Sequence, residues 1–348
     1  KRQRIPDDGS PSASSTDDFL ASPDMFLPAA EKGDAATVAS ALRNPLTEPN
    51  VTDQDGNSAL IYAAFRGHDS VVEVLLADER TDPNIAGQGG LTALIQATYH
   101  GHGAVLAALL ADDRVNPNVT NESGNTALTS ALMREDGSVV RALLANQRLD
   151  PNIASNDGAA LTPLHFAAIK GNASGVTALL ADHRVDPSIV DRDGRTALTI
   201  ASIVGHGAVV AALLADARVD PNAPDPQGYT PWFQAAIKGN PSVTTALLAD
   251  KRVDPNIANQ YGCTALSVAA RFSGISILKL LLADDRTIRT RPTSGGDDYD
   301  AALAWLNRQG TDAEAAPEEF IPAAQDGDDA TVASALRNPL VDPNMTNE

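Results

Sequence analysis

The chain has 348 residues, with 26 Lys and Arg against 45 Asp and Glu, a formal net charge of −19 and a single cysteine, Cys263. That balance excludes a general affinity for nucleic acid or an anionic membrane, because phosphate binding needs clustered Lys and Arg. One cysteine excludes an internal disulfide, which suits a reducing, intracellular and cytoplasmic setting, and no run of about 18 apolar residues is present to span a bilayer.

Residues 1–24 are polar, with a Ser-rich run over 10–18, and read as a disordered tail. Lys1-Arg2-Gln3-Arg4 fits the end of a nuclear-import signal and equally an ordinary charged tail.

From there the chain repeats itself. A glycine recurs at Gly56, Gly90, Gly124, Gly158, Gly194, Gly228 and Gly262, every 34 residues except for one step of 36 at Ala159-Ala160. Paired leucines keep the same beat, from Leu75-Leu76 to Leu281-Leu282. A fixed period of this order marks a repeat architecture.

Each repeat parses locally. Ser58, Thr92, Thr126, Thr162, Thr196, Thr230 and Thr264 are placed as helix N-caps, and Pro163 and Pro231 follow at the first helical position. A short helix runs through small pairs such as Ala63-Ala64 and stops at Gly67, Gly101, Gly171, Gly205 or Gly239. A second helix follows, with apolar residues at helical spacing such as Val72, Leu75 and Leu76. Asp-Pro-Asn or a near variant then turns the chain, as at Asp82-Pro83-Asn84 and Asp254-Pro255-Asn256.

Thr162-Pro163-Leu164-His165-Phe166-Ala167-Ala168 carries the string T-P-L-H-x-A-A, and with the period and helix pattern the chain closely resembles the ankyrin repeat family. The resemblance implies an all-α repeat solenoid of helix–turn–helix units joined by short β-hairpin fingers. The repeat is one residue longer than that family's usual 33, through an insertion in the Ala-Asp-x-Arg-Val-Asp-Pro-Asn segment. Glu135 and Ser273 replace the helix-ending glycine, and nearby Gly137 and Gly274 suggest that those two turns slip forward.

Residues 25–50 read as a capping repeat without a leading finger, and 51–286 as seven full repeats. Residues 287–317 read as a linker with a short helix near Asp300–Asn307. Residues 318–348 read as the first unit of a duplicated, truncated second array, since Thr331–Leu340 is identical to Thr37–Leu46.

No catalytic, metal or cofactor constellation stands out. His68, His102 and His206 occupy the same position in different repeats and do not converge. Asp53-Gln54-Asp55-Gly56 and Asp191-Arg192-Asp193-Gly194 lack the remaining ligands of a calcium loop and read as turns. No nucleotide-binding, nucleophile-elbow or zinc-protease motif is present.

The family resemblance implies a binding face built from the finger tips and the last turn of each first helix. That turn carries an apolar row, with Phe65, Tyr99, Met133 and Ile169, and Arg271 at its end. Beside it runs a largely basic row, with Arg66, His100, Arg134, Lys170 and Lys238, and Phe272 at its end. Leu91, Arg195 and Tyr229 add finger-tip positions, while Trp232 replaces a core Leu and reads as packing. The apolar row fits a partner surface or packing between neighbouring repeats. The expectation is a non-enzymatic scaffold for a protein partner with apolar and acidic groups. The polar leader also resembles that of effectors that bacteria inject into host cells; the alternative is the substrate-recruiting region of a larger enzyme or a ubiquitin-ligase adaptor.

Overall fold

The computed structural model describes residues 23–272 together with 277, 280, 281, 286 and 287. The polar tail before Pro23, the linker helix, the turn at Ser273 and the duplicated stretch at 318–348 lie outside the described residues. The chain divides into two compact units, Lys1–Pro163 and Leu164–Glu348.

The first unit holds four helix pairs: α1 (Pro23–Lys32) with α2 (Ala35–Leu42), α3 (Ala59–Arg66) with α4 (Asp69–Leu76), α5 (Ala93–His100) with α6 (Gly103–Ala111), and α7 (Ala127–Met133) with α8 (Gly137–Ala145). First helices stack on first helices and second on second, which makes two layers. The second unit repeats this with α9 (Pro163–Lys170), α10 (Ala173–Leu180), α11 (Ala197–Val204), α12 (Gly207–Leu214), α13 (Pro231–Lys238), α14 (Pro241–Ala249) and α15 (Ala265–Phe272). Helices of about eight residues do not persist alone in water; burial between neighbours holds them, with Ala63, Ala64, Leu75, Ala97 and Leu109 fully buried.

Local signals set the helix ends. The Ser58 hydroxyl accepts from the Ile61 N–H, Thr92 from Ile95 and Thr230 from Phe233, as N-caps do. Gly67 closes α3 at φ 77°, in the left-handed region. A side chain there is excluded twice over, because a Cβ would fall 2.6 Å from Nδ1 of His102 in the next repeat.

Glu135 departs from what the sequence suggests. The turn does not slip forward to Gly137: Glu135 itself takes the left-handed conformation, at φ 59°. The frame of α7 and α8 fixes the turn geometry, so the non-glycine residue carries the strain.

The fingers are shorter than hairpins. Single antiparallel bridges, Thr52 to Ser58, Ala86 to Thr92 and Ala258 to Thr264, stand where strands were expected. Side chains do the rest. One Asp53 oxygen accepts the N–H groups of Asp55 and Asn57 at 2.9 and 2.8 Å, and Asn121 and Asn259 act likewise. The Asp53 oxygens are thereby engaged by their own turn and by the Tyr62 hydroxyl.

The inserted residue has a structural use. Asp-x-Arg forms a clasp after α4, α6, α10, α12 and α14, and Asn146-x-Arg148 stands in its place after α8. Arg252 donates through Nε and Nη2 to Asp250, through Nη2 to the Leu214 carbonyl at 2.7 Å and through Nη1 to the Val219 carbonyl at 3.1 Å. Arg80, Arg114, Arg148, Arg218 and Arg286 reach the equivalent carbonyls of their preceding repeats. The last carbonyls of a helix lack intrahelical donors, and a cation there also suits the helix dipole. A second rung runs the other way. Asn84 donates to the Arg114 carbonyl at 2.8 Å and accepts from the Asn116 N–H at 2.6 Å, and Asn50, Asn118 and Asn222 repeat the pattern.

Candidate partner-binding surface

The last turns of α3, α5 and α7 bring most of the anticipated residues of the first unit together. The Phe65 ring is half-buried and meets His100 edge-on at 4.5 Å between centroids. Tyr99 approaches the same imidazole edge-on at 5.2 Å and is 53 % exposed. His102 stacks on the other side of His100 at 6.0 Å. Met133, one repeat further on, is 38 % exposed. Burial, and then the neighbouring His102 and Arg134, hold the His100 pKa below the usual histidine value. Its imidazole is therefore neutral at pH 7 and packs as an aromatic ring.

The basic row is only partly available. The Arg66 guanidinium lies 5.0 Å over the Phe65 ring and donates to Glu31 at 2.7 Å, with both side chains substantially exposed. Cation–π contact of this kind holds the head group in place. Arg134 is exposed but turns back, and its Nη1 donates to the Tyr99 carbonyl at 2.6 Å. In the neighbouring repeats that bond is made by histidine: His68 to the Glu31 carbonyl and His102 to the Phe65 carbonyl. Leu91 is half-buried in its finger.

In the second unit Ile169 is half-buried and Lys170 exposed, Val204 is 48 % exposed, and Ile237 and Lys238 are half-buried. His206 fills its slot by bonding the Ile169 carbonyl at 3.1 Å. Two finger-tip expectations need correction. Tyr229 is 7 % exposed and stacks on Phe233 at 4.9 Å, so it belongs to the core. Burial first, then Tyr261, Asp225 and Cys263, push its pKa up to about 12. Arg195 is half-buried and held by Asp191 and Asp193, each at 2.7 Å, with the Asp191 carboxylate almost wholly covered. It is a buttress of its own finger, not a free cation. Trp232 is 2 % exposed, as a core residue should be. Arg271 and Phe272 end α15, and their side chains lie outside the described ones.

Tyr261, 39 % exposed beside its finger glycine, was not singled out from the sequence. Its signal was an aromatic residue directly before Gly262. Among the described residues no group of three or more His, Cys, Asp or Glu is placed to hold a metal ion. No helix among them is long and apolar enough to cross a membrane.

Five overlapping stretches, 26–121, 69–157, 104–191, 136–225 and 217–291, match the family model of ankyrin repeats (3 copies), and together they run over residues 26–291. No curated protein matches the chain.

Proposed function

The chain belongs to the ankyrin repeat family, and on that premise we propose that it is a non-enzymatic scaffold that holds a protein partner on the last turns of its first helices. Ankyrin repeats are generally protein–protein interaction modules. The observation that carries the reading is the exposure of Tyr99 and Met133 beside Phe65, Arg66 and Arg134. Aromatic, Met and Arg side chains are the types enriched at interfaces. Their backbone sits on packed helices, so little ordering cost is left to binding. Apolar groups on the partner meet Tyr99 and Met133, and carboxylates meet the basic positions. Lys170 and Lys238 hold the same repeat position in the second unit.

The experiment is capture of partners from lysate with the wild-type chain and with Tyr99→Ala/Met133→Ala, identified by mass spectrometry and then titrated in purified form. A partner whose affinity falls about 30-fold or more in the variant supports the reading, the size expected of a hot spot worth about 2 kcal/mol. Partners bound equally by both chains would sink it.

A further inference from the structure

Arg134 uses one of its nitrogens as the clasp arginines do. Its Nη1 donates to the Tyr99 carbonyl of the preceding repeat. In the same way Nη1 of Arg80, Arg114, Arg218 and Arg252 donates to the carbonyls of Thr47, Thr81, Val185 and Val219. The clasp arginines then give their other edge to an aspartate. Nε bonds one carboxylate oxygen and Nη2 the second, on Asp78, Asp112, Asp216 and Asp250.

Arg134 has no such aspartate. Among the described residues its Nε and Nη2 make no hydrogen bond or ion pair. Asp136, two residues on, spends its carboxylate on the N–H groups of Ser138 and Val139. Arg66, in the same row, is already met by Glu31. Arg134 is thus an exposed guanidinium held in place at one nitrogen, with its two-donor edge unused. Anchoring a planar fork removes freedom that binding would otherwise have to remove, and the unused edge matches a carboxylate with two parallel bonds.

The surroundings of the fork are apolar and aromatic. Met133, the residue before it, is 38 % exposed, and Tyr99, whose carbonyl anchors it, is 53 % exposed. His100 stands against Phe65, Tyr99 and His102, and its ring nitrogens bond no group among the described residues. A partner that covers Tyr99 and Met133 also takes water from Arg134. Without a carboxylate to replace it, the charge would be left unpaired, which is strongly unfavourable. The net charge of −19 repels a densely acidic partner. One acid among apolar groups is what the surface complements.

We propose that Arg134 is the specificity residue of this surface: its Nε–Nη2 edge takes the side-chain carboxylate of a single Asp or Glu of a protein partner, set beside an apolar side chain that lies against Tyr99 and Met133. This rests on the scaffold reading above and names which cation the partner's acid meets.

The probe is a set of random peptides displayed inside a carrier loop, so that no chain end is presented, and selected on the full-length chain. Binders that are lost with Tyr99→Ala/Met133→Ala are kept. They share an Asp or Glu next to a large apolar residue, and changing that acid to its amide weakens binding to wild type about tenfold or more. Against Arg134→Gln the same change costs no more than about twofold. Arg134→Lys keeps the charge without the fork and falls between the two. The acid-to-amide change is read first on the wild-type chain, and circular dichroism checks the fold of both variants. Binders without an acid, an equal cost of the change in wild type and Arg134→Gln, or a lysine chain that matches wild type each overturn the proposal and leave the scaffold reading standing. A selection without any binder lost in Tyr99→Ala/Met133→Ala sinks both.

Discussion

Arg134 and Tyr99 are joined across one repeat by a 2.6 Å hydrogen bond from the guanidinium Nη1 to the tyrosine's main-chain oxygen. The residue that should make that bond is at position 136, where the histidine slot holds Asp136. That carboxylate instead caps α8 through the N–H groups of Ser138 and Val139. Arg134 has taken over the histidine's task and fills the space beside Gly101, with Nη2 3.0 Å from where a Cβ would be. Removing it leaves the Tyr99 carbonyl to solvent. Arg134→Ala lowers stability by about 1 kcal/mol, and adding Asp136→His in the same chain restores the bond to the Tyr99 carbonyl but gives up the α8 cap, so the rescue is partial. Thermal melts of the three proteins check this; no rescue by the histidine would separate the two roles.

The clasps predict a dependence on side-chain shape. Arg252 uses Nε, Nη1 and Nη2 on different partners, which a lysine ammonium cannot reproduce. Arg252→Lys and Arg252→Ala therefore destabilise alike, by about 1–2 kcal/mol. Urea unfolding is the measurement, and a lysine variant at wild-type stability contradicts the account.

The same clasps set an acid limb. Hydrogen bonds from the clasp arginines hold Asp78, Asp112, Asp182, Asp216 and Asp250 below the usual carboxylate range. A depressed pKa means that folding favours the ionised form. The contribution is present above the unfolded value, about 3.9, and is lost as pH falls through the lower folded values. Acid unfolding of Arg252→Ala should show a shallower fall below about pH 4 than the wild type.

At the other end of the scale, Tyr229 has a folded pKa of about 12 against an unfolded value near 10. Here the neutral form is favoured, so the contribution is intact below about pH 10 and disappears as pH climbs through about 12. Tyr229→Phe should retain more of its neutral-pH stability at high pH than wild type does. Parallel melts at pH 8 and about pH 11 decide.

Glu135→Gly tests the strained turn. A left-handed non-glycine residue costs about 1–2 kcal/mol, part of which returns as glycine's greater freedom when unfolded. A net gain of about 0.5–1 kcal/mol is expected, and a loss would mean that the Glu135 side chain contributes more than its backbone costs.

The period, the helix pairs, the serine and threonine caps and the glycine stops were all legible from the residues, because each depends on hydrogen bonds within about four positions of the chain. The candidate binding row was legible only as positions. Which members reach solvent depends on residues roughly one repeat away: Arg66 is drawn to Glu31 and Arg134 to the Tyr99 carbonyl. Tyr229 sank for a nearer reason, the Phe233 ring one helical turn on.

The inserted residue shows the division best. From the amino-acid order it was an extra position in a loop, with a period that counted 34. Only the stacked repeats put that loop's arginine against the open carbonyls of the helix before it. Local hydrogen bonding thus determined the brick, and the packing of one brick on the next decided which charges are used up in holding the stack and which are left for a partner.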